Sequence, residues 1–396
     1  MIYRKIKTSE FHELRKLQCN VYFMKYEKDK PSTTPEMDDI RIQGARAAFT
    51  DDGKMAAVLE MIPFHAYFDG HKIKSPGIAG IATLLEHRRS GYVKTLLKRA
   101  YEEMGEHGAV MSYLYPFSHE YYQKYGYAQA GYAETIKTDI TNLVKSTCTG
   151  YTKQYYPGDG YDDLKYIYGR FAKQYNCCIA RDDWRWKRLF SKDPHTEKVR
   201  VFIRYSSDGE PIAYLKMDAK EVDIYTYDMH VVEAAWHGSG GIQGLMAIIN
   251  GFKYDLRKLI MGVPSGFPTE LIVKEVWELE VKRDHIGMNR IISVKKALEL
   301  MKKPIVNGSV VIGVEDKHAP WNSGNWLVKW DNASCNVEKT ESSADLECGI
   351  SSLSQLVTGY MTLKEVINIP DVNIHSNYKL LESLFIRKPC FIWDRF

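Results

Sequence analysis

The segment 77–100, GIAGIATLLEHRRSGYVKTLLKRA, constrains the fold more than any other stretch of this chain. Its first half is apolar and strand-like. Its second half places Val93, Leu96, Leu97, Ala100 and then Met104 at helical spacing, with Lys94, Lys98, Arg99, Glu102 and Glu103 on the other face. Between the halves lies Arg88-Arg89-Ser90-Gly91-Tyr92-Val93. A strand running directly into an amphipathic helix belongs to an α/β layer with a central sheet. A helix start also leaves backbone N–H groups unpaired at the positive end of the helix dipole, an arrangement that binds phosphate oxygens. Gly91 admits an anion close to the backbone, and Arg88, Arg89 and Lys94 add charge for it.

The surrounding pattern extends this layer. Residues 8–28 read as one or two helices, and KDKPSTTPEMDD at 28–39 as a loop. Ala47–Thr50, Met55–Phe68 and His71–Leu85 read as strands, the last broken by Pro76 and Gly77. After the helix, which Gly108 ends, come a strand at Val110–Tyr115, a short helix capped by Ser118 and closed by Gly126, and a strand at Tyr127–Asp139. A second unit repeats the plan: helices at Leu164–Tyr175 and Asp183–Ser191, strands at Val199–Tyr205, Ile212–Met217 and Val222–Val232, a helix at Ile242–Leu256 and a strand at Leu259–Val263. The third unit has helices at Lys295–Met301, Ser351–Thr358 and Tyr378–Phe385, with strands at Gly308–Glu315, Asn325–Trp330, Asn332–Asn336 and Asp345–Gly349.

Composition limits what this chain does. A formal net charge of +4, from 54 basic and 50 acidic residues, is too balanced for a nucleic-acid binder. The opening MIYRKIKTSEFHELRKL lacks the apolar core of a signal peptide, and no run of apolar residues is long enough to span a membrane. Seven cysteines with no C-x-x-C pair point to reduced thiols in the cytoplasm rather than to a disulfide framework or a metal site, so no metal is expected.

Arg88-Arg89-Ser90-Gly91-Tyr92-Val93 resembles the cofactor-binding motif A of the GNAT acetyltransferases, with Val93 larger than the small residue usual at that position. Within that family, His87-Arg88-Arg89 followed by Gly91 is similar to the Eis (enhanced intracellular survival) branch. So are Tyr121-Tyr122-Gln123-Lys124-Tyr125-Gly126-Tyr127, the segment Gly287–Val294 (GMNRIISV), and the terminal Phe396. The resemblance spans essentially the whole chain. It implies an α/β (α+β) architecture of tandem GNAT folds with mixed central sheets: a catalytic domain at 1–149, a degenerate second copy at 150–288, and a sterol-carrier-protein-like α+β domain at 289–396.

The resemblance also implies an activity, acetyl transfer from acetyl-CoA to a primary amine, either on a small molecule or on a lysine side chain. Ile81, Ala82 and Thr83 would pair with the pantetheine arm, and the backbone of Arg89, Ser90, Gly91, Tyr92, Val93 and Lys94 would hold the pyrophosphate beside Arg88. Phe117 and Ser118 would complete the cofactor site. Tyr122 corresponds to the general acid, with Tyr125 and Tyr127 as neighbouring alternatives. The α-carboxylate of Phe396 corresponds to the general base, and the aromatic tail FIWDRF favours its docking. Gly80 stands where relatives carry an aromatic pocket residue. Arg395 stands where the mycobacterial enzyme has an acidic one, so the acceptor pocket is expected to differ in shape and charge. Eis relatives assemble as hexamers, which implies a homo-oligomer. His237-Gly238-Ser239-Gly240-Gly241 opens a helix in the second unit but lacks the basic signature. Trp321, Trp326 and Trp330 are candidates to line a lipid pocket in the third. A non-catalytic acyl-CoA or lipid-binding scaffold is the alternative function.

Overall fold

The computed structural model describes residues 2–27, 35–331 and 334–396. The chain divides into two compact units. One joins Met1–Ala130 to Gly287–Lys388 and Asp394–Phe396; the other joins Gly131–Ile286 to Pro389–Trp393. Among the described residues, no helix is long and apolar enough to cross a membrane.

The first unit opens with β1 (Ile2–Lys5), α1 (Phe11–Val21), α2 (Pro35–Gly44), β2 (Ala45–Phe49) and β3 (Met55–Ile62). The hairpin β4 (His65–Phe68) and β5 (His71–Lys74) follows, then β6 (Gly77–Thr83), α3 (Tyr92–Glu106), β7 (Met111–Leu114), α4 (His119–Gln123) and β8 (Ala128–Gln129). Of the loop expected at 28–39, residues 28–34 lie outside the described residues. From Pro35 the chain is already helical, with Pro35 at the helix start and Glu36 and Asp38 in the first turn, where the missing N–H and the negative charges both suit the helix end. The long strands expected at Met55–Phe68 and His71–Leu85 are each broken in two, around Pro63 and Pro76.

The sheet runs β1-β2-β3-β6-β7, then the Met288–Ile291 strand, then β8. Its strands are covered on both sides. Ala45, Ala47, Phe49, Val58 and Ala82 pack under α1 with Leu14 and Leu17. The alternate residues Ala48, Ala57, Leu59, Ile78 and Leu114 pack under α3 and α4 with Leu96, Leu97, Ala100 and Tyr122.

The remainder of this unit is a five-stranded sheet in the order Cys335–Thr340, Gly324–Trp330, Gly308–Glu315, Leu346–Gly349, Asn373–Ile374, backed by helices at Val294–Leu300, Ile350–Thr358 and Tyr378–Leu384. Phe68 and Ile73, from the β4–β5 hairpin, belong to its core. The strand expected at Asn332–Asn336 begins instead at Cys335; Asn332 and Ala333 lie outside the described residues. Trp326 and Trp330 are buried in this core, their indole N–H groups donating to the carbonyls of Asn322 and Val306, both at 2.8 Å. They are packing residues with satisfied polar ends. Trp321 is more exposed, and its N–H donates to the carbonyl of Ile292 at 2.9 Å.

The second unit has its own seven-stranded sheet. From one edge it runs Tyr151–Tyr155, Val199–Tyr205, Pro211–Asp223, Thr226–Trp236, Lys258–Pro264, Tyr132–Asp139 and Glu280–His285. The single strand expected at Tyr127–Asp139 is thus two strands in two sheets, separated at Gly131, where a Cβ would press on Ile286 and Cys390. The expected helix at Ile242–Leu256 stops at Asn250, because Gly251 and the tight turns after it take over.

Candidate active site

The site is an opening in the first sheet. β6 and β7 pair in parallel only at Gly77↔Tyr113 and Ile78↔Leu114. β7 then ends, while β6 continues to Thr83 along its other neighbour, β3. Ile81, Ala82 and Thr83 therefore lie on an edge that has diverged from β7. The divergence coincides with a bulge: Leu59 of β3 faces two residues of β6, Gly80 and Ile81, where the register shifts. Gly80 sits at φ 58°, in the left-handed region, and a Cβ there would overlap the Gln18 amide and press on the Glu60 carboxylate. Gly80 is thus a backbone requirement of the bulge, which is why no aromatic residue stands there. The bulge is braced from below: Gln18 Nε2 donates to the Gly80 carbonyl at 2.9 Å and to Glu60 at 3.0 Å, and Arg41 holds both Glu60 oxygens at 2.8 and 2.9 Å.

On the open edge, the Ile81 carbonyl accepts from the Tyr22 hydroxyl at 2.7 Å, and the Thr83 carbonyl accepts from Arg88 Nε at 3.4 Å. The Thr83 hydroxyl oxygen is buried with no partner among the described residues. Tyr22 carried no motif signal, since its role depends on where α1 ends relative to the bulge. Burial, reinforced by Glu60, pushes its phenol up to about 12.

At the end of β6, Arg89 has φ 64° and Gly91 φ 81°, two left-handed residues that curl the backbone just before α3. Gly91 is the helix N-cap; among the described residues no side chain caps the first turn, and a Cβ on Gly91 would meet nothing within 4 Å. Arg88, Arg89, Ser90, Gly91 and Lys94 are exposed, while Tyr92 and Val93 pack against the α3 core. An uncapped helix start approached by glycine and flanked by cations is an anion site.

Beyond β7, Phe117 is 77% exposed, and its ring lies 5.1 Å from Tyr121 and 5.5 Å from Tyr122. Ser118 caps α4, its hydroxyl oxygen accepting from the Tyr121 N–H at 3.2 Å. Tyr122 is only 5% exposed, yet among the described residues nothing hydrogen-bonds its hydroxyl. Burial, then the neighbouring tyrosines Tyr121 and Tyr22, raises its pKa above the ordinary phenol value. Tyr127 is bound elsewhere, to Ser112 at 2.8 Å.

The last residue returns to this sheet. The Phe396 ring lies 4.7 Å from Phe64 and 5.5 Å from Tyr115, and a Cβ on Gly77 would overlap it. The Tyr115 hydroxyl donates to the Asp394 carbonyl at 3.1 Å, and Asp394 is buried. Gly77 and Tyr115 adjoin Ile78 and Leu114, which face α3, so by strand alternation Phe396 sits on the opposite face. Tyr122 belongs to the α3 side. The two residues flank the sheet where β6 and β7 part. Gly77, Phe64 and Tyr115 escaped the sequence reading because a seat for a chain terminus has no periodicity.

A bulged, splayed parallel strand pair beside an uncapped basic helix start defines an acyl-CoA-dependent acetyltransferase fold. Residues 2–130 match the acetyltransferase (GNAT) domain family, and residues 294–393 match the sterol carrier protein domain family. An uncharacterised N-acetyltransferase of Streptomyces coelicolor is 23% identical over 324 residues, 75% of this chain and 74% of that protein. Among solved structures, a GCN5-related N-acetyltransferase from Anabaena variabilis superposes with a TM-score of 0.86 at 19% identity, covering 100% of both chains. Eis1 from Mycobacterium abscessus gives 0.81 at 16%, again over 100% of both chains. Residues 2–130 thus form a GNAT acetyltransferase domain in a chain whose whole fold is Eis-like, and the GNAT fold implies acetyl-CoA as co-substrate.

Proposed function

We propose that the chain transfers an acetyl group from acetyl-CoA to a primary amine by direct attack, with Tyr122 as general acid and the α-carboxylate of Phe396 as general base. The observation that carries this reading is the placement of Tyr122 and Phe396 on the two faces of one gap in the sheet. The pyrophosphate would rest on the amides of Arg89, Ser90, Gly91, Tyr92, Val93 and Lys94, with Arg88 beside them. The pantetheine arm would lie along Ile81, Ala82 and Thr83, displacing the Tyr22 hydroxyl from the Ile81 carbonyl, with Phe117 at the mouth. Ser118 enters as the cap that fixes α4.

The acceptor approaches the thioester carbonyl as a neutral amine. Its nitrogen forms the new C–N bond, and the carboxylate takes the proton that the nitrogen sheds. The tetrahedral intermediate then breaks its C–S bond, and the departing thiolate receives the Tyr122 proton. Tyr122 suits this role because burial keeps its proton in place until negative charge develops on sulfur. The phenolate recovers a proton afterwards, closing the cycle.

The domain division 1–149, 150–288 and 289–396 belongs to the same reading, with the middle copy non-catalytic, the protein cytoplasmic, and its assembly a homo-oligomer, a hexamer by family likeness. The acceptor is a small amine or a lysine side chain. The test is thiol release from acetyl-CoA over a panel of polyamines, lysine peptides and aminoglycosides, with the native chain and with one extended by a few residues past Phe396. The extension should abolish transfer while leaving coenzyme A affinity unchanged. Full activity in the extended chain would remove the terminal carboxylate from the mechanism.

A further inference from the structure

We infer that the sterol-carrier-like domain positions the general acid, with His318 as a positioning residue that acts on Tyr122 through the turn after α4. The inference rests on the proposed role of Tyr122. α4 has five residues, too few to hold its own shape, and the carbonyls at its C-terminal end need outside donors. Two of these donors come from beyond Met288. His318 Nε2 donates to the Lys124 carbonyl at 2.8 Å, with its ring 5.2 Å from that of Tyr125. Arg290 Nη1 donates to the Tyr125 carbonyl, which also accepts from the Tyr101 hydroxyl at 3.2 Å. Arg290 is fixed in turn: its guanidinium lies 4.1 Å from the centre of the Tyr101 ring, and Nη2 pairs with Asp316 at 2.6 Å, both side chains fully buried. Asn322 Nδ2 holds the same Asp316 oxygen at 3.0 Å.

The turn transmits this restraint directly. The Tyr122 carbonyl accepts from the N–H groups of Tyr125 and Tyr127, at 3.0 and 3.2 Å. Gly126 sits at φ 83°, and a Cβ there would overlap Arg290 Nη1, so the turn and the guanidinium are built against each other. Burial lowers the pKa of His318, so the imidazole is neutral near pH 7 and holds the Lys124 carbonyl as an N–H donor without adding a charge beside the arginine.

Arg290 cannot be removed cleanly, because Asp316 would be left as an unpaired buried charge. His318 is only partly buried and is the residue to test. In the full chain, His318→Ala should lower kcat roughly tenfold, the scale expected when a reacting group loses its alignment. The KM for acetyl-CoA and the binding of coenzyme A should not change. His318→Gln, whose amide N–H can still reach the carbonyl, should recover most of the loss. In a Tyr122→Phe background, His318→Ala should cost nothing further. Amide exchange at Tyr125 and Tyr127 should accelerate in His318→Ala whether or not turnover is measured. Unchanged exchange together with unchanged kcat overturns the inference, as does an equal loss in both backgrounds. If Tyr122→Phe is itself fully active, the acid assignment fails instead, and faster exchange in His318→Ala still reports the clamp.

Discussion

With the Phe396 ring seated on Gly77, the proposed role of the α-carboxylate can be tested through that glycine. Gly77 is not among the glycines with positive φ, so its backbone conformation accepts alanine; the nearest obstacle to a Cβ is the Phe396 ring. A Cβ forced into a packed ring costs about 1–3 kcal/mol. At 1.4 kcal/mol per tenfold, that converts into a roughly 5- to 150-fold shift of the tail from docked to undocked, up to the limit set by its own docking energy. Gly77→Ala should therefore lower kcat by a factor in that range with little change in KM for acetyl-CoA, whose proposed phosphate contacts lie at the far end of β6. Removing the ring removes the clash. The double variant Gly77→Ala, Phe396→Ala should be no slower than Phe396→Ala alone. The assay is steady-state thiol release for the four chains of the cycle, with thermal midpoints to confirm folding. Additive losses, or a Gly77→Ala chain with native kcat, would refute the link between ring seat and rate.

Two further outcomes follow from the same geometry. Gly91→Val should raise the KM for acetyl-CoA and weaken coenzyme A binding roughly 5- to 30-fold, because a β-branched residue at φ 81° costs about 1–2 kcal/mol and narrows the anion approach; isothermal titration against coenzyme A checks it. Tyr122 keeps its proton above the ordinary phenol value of about 10, so its acid form persists through weakly alkaline solution and kcat should not fall below that pH on its account. An alkaline limb with its midpoint under pH 10 that disappears in Tyr122→Phe contradicts the assignment.

The elements carrying this site were legible where local chemistry decides them. The helix after Gly91 follows from its 3.6-residue stripe, the α4 cap from Ser118, and its end from Gly126. Long-range geometry was not legible. Gly80 reads in sequence as a changed pocket residue, whereas the bulge makes it a backbone requirement. The hairpin between Pro211–Asp223 and Thr226–Trp236 turns at Ile224-Tyr225, with Tyr225 at φ 56°. Neither residue is a turn former, so the sequence offered no signal there, and the Asp223 side chain closes the turn onto the Ile224 N–H at 2.7 Å instead. Arg290 lies inside a recognisable motif, yet its partners Tyr125 and Asp316 belong to segments that only the fold brings together.

The second unit repeats the gap without the basic helix start. Thr226–Trp236 and Lys258–Pro264 pair in parallel only from Met229↔Leu259 to Val231↔Met261, repeating the splay of β6 and β7. The turn that follows, His237-Gly238-Ser239-Gly240, carries no arginine or lysine, and His237 is turned inward onto the Pro211 carbonyl at 2.9 Å. Beyond the last paired residue, Trp393 packs on Gly262, and Phe391 lies against Phe171 and Tyr175. The tail thus packs apolar rings on the second sheet, while the Phe396 ring seats on Gly77 of the first. Two features distinguish the second unit's gap from the one between β6 and β7: its helix start lacks the cations that, with open amides, suit a diphosphate, and aromatic rings of the tail pack where its strands part. Restoring arginines to the 237–240 turn should therefore leave coenzyme A binding at one site per chain for as long as those aromatic rings remain in place.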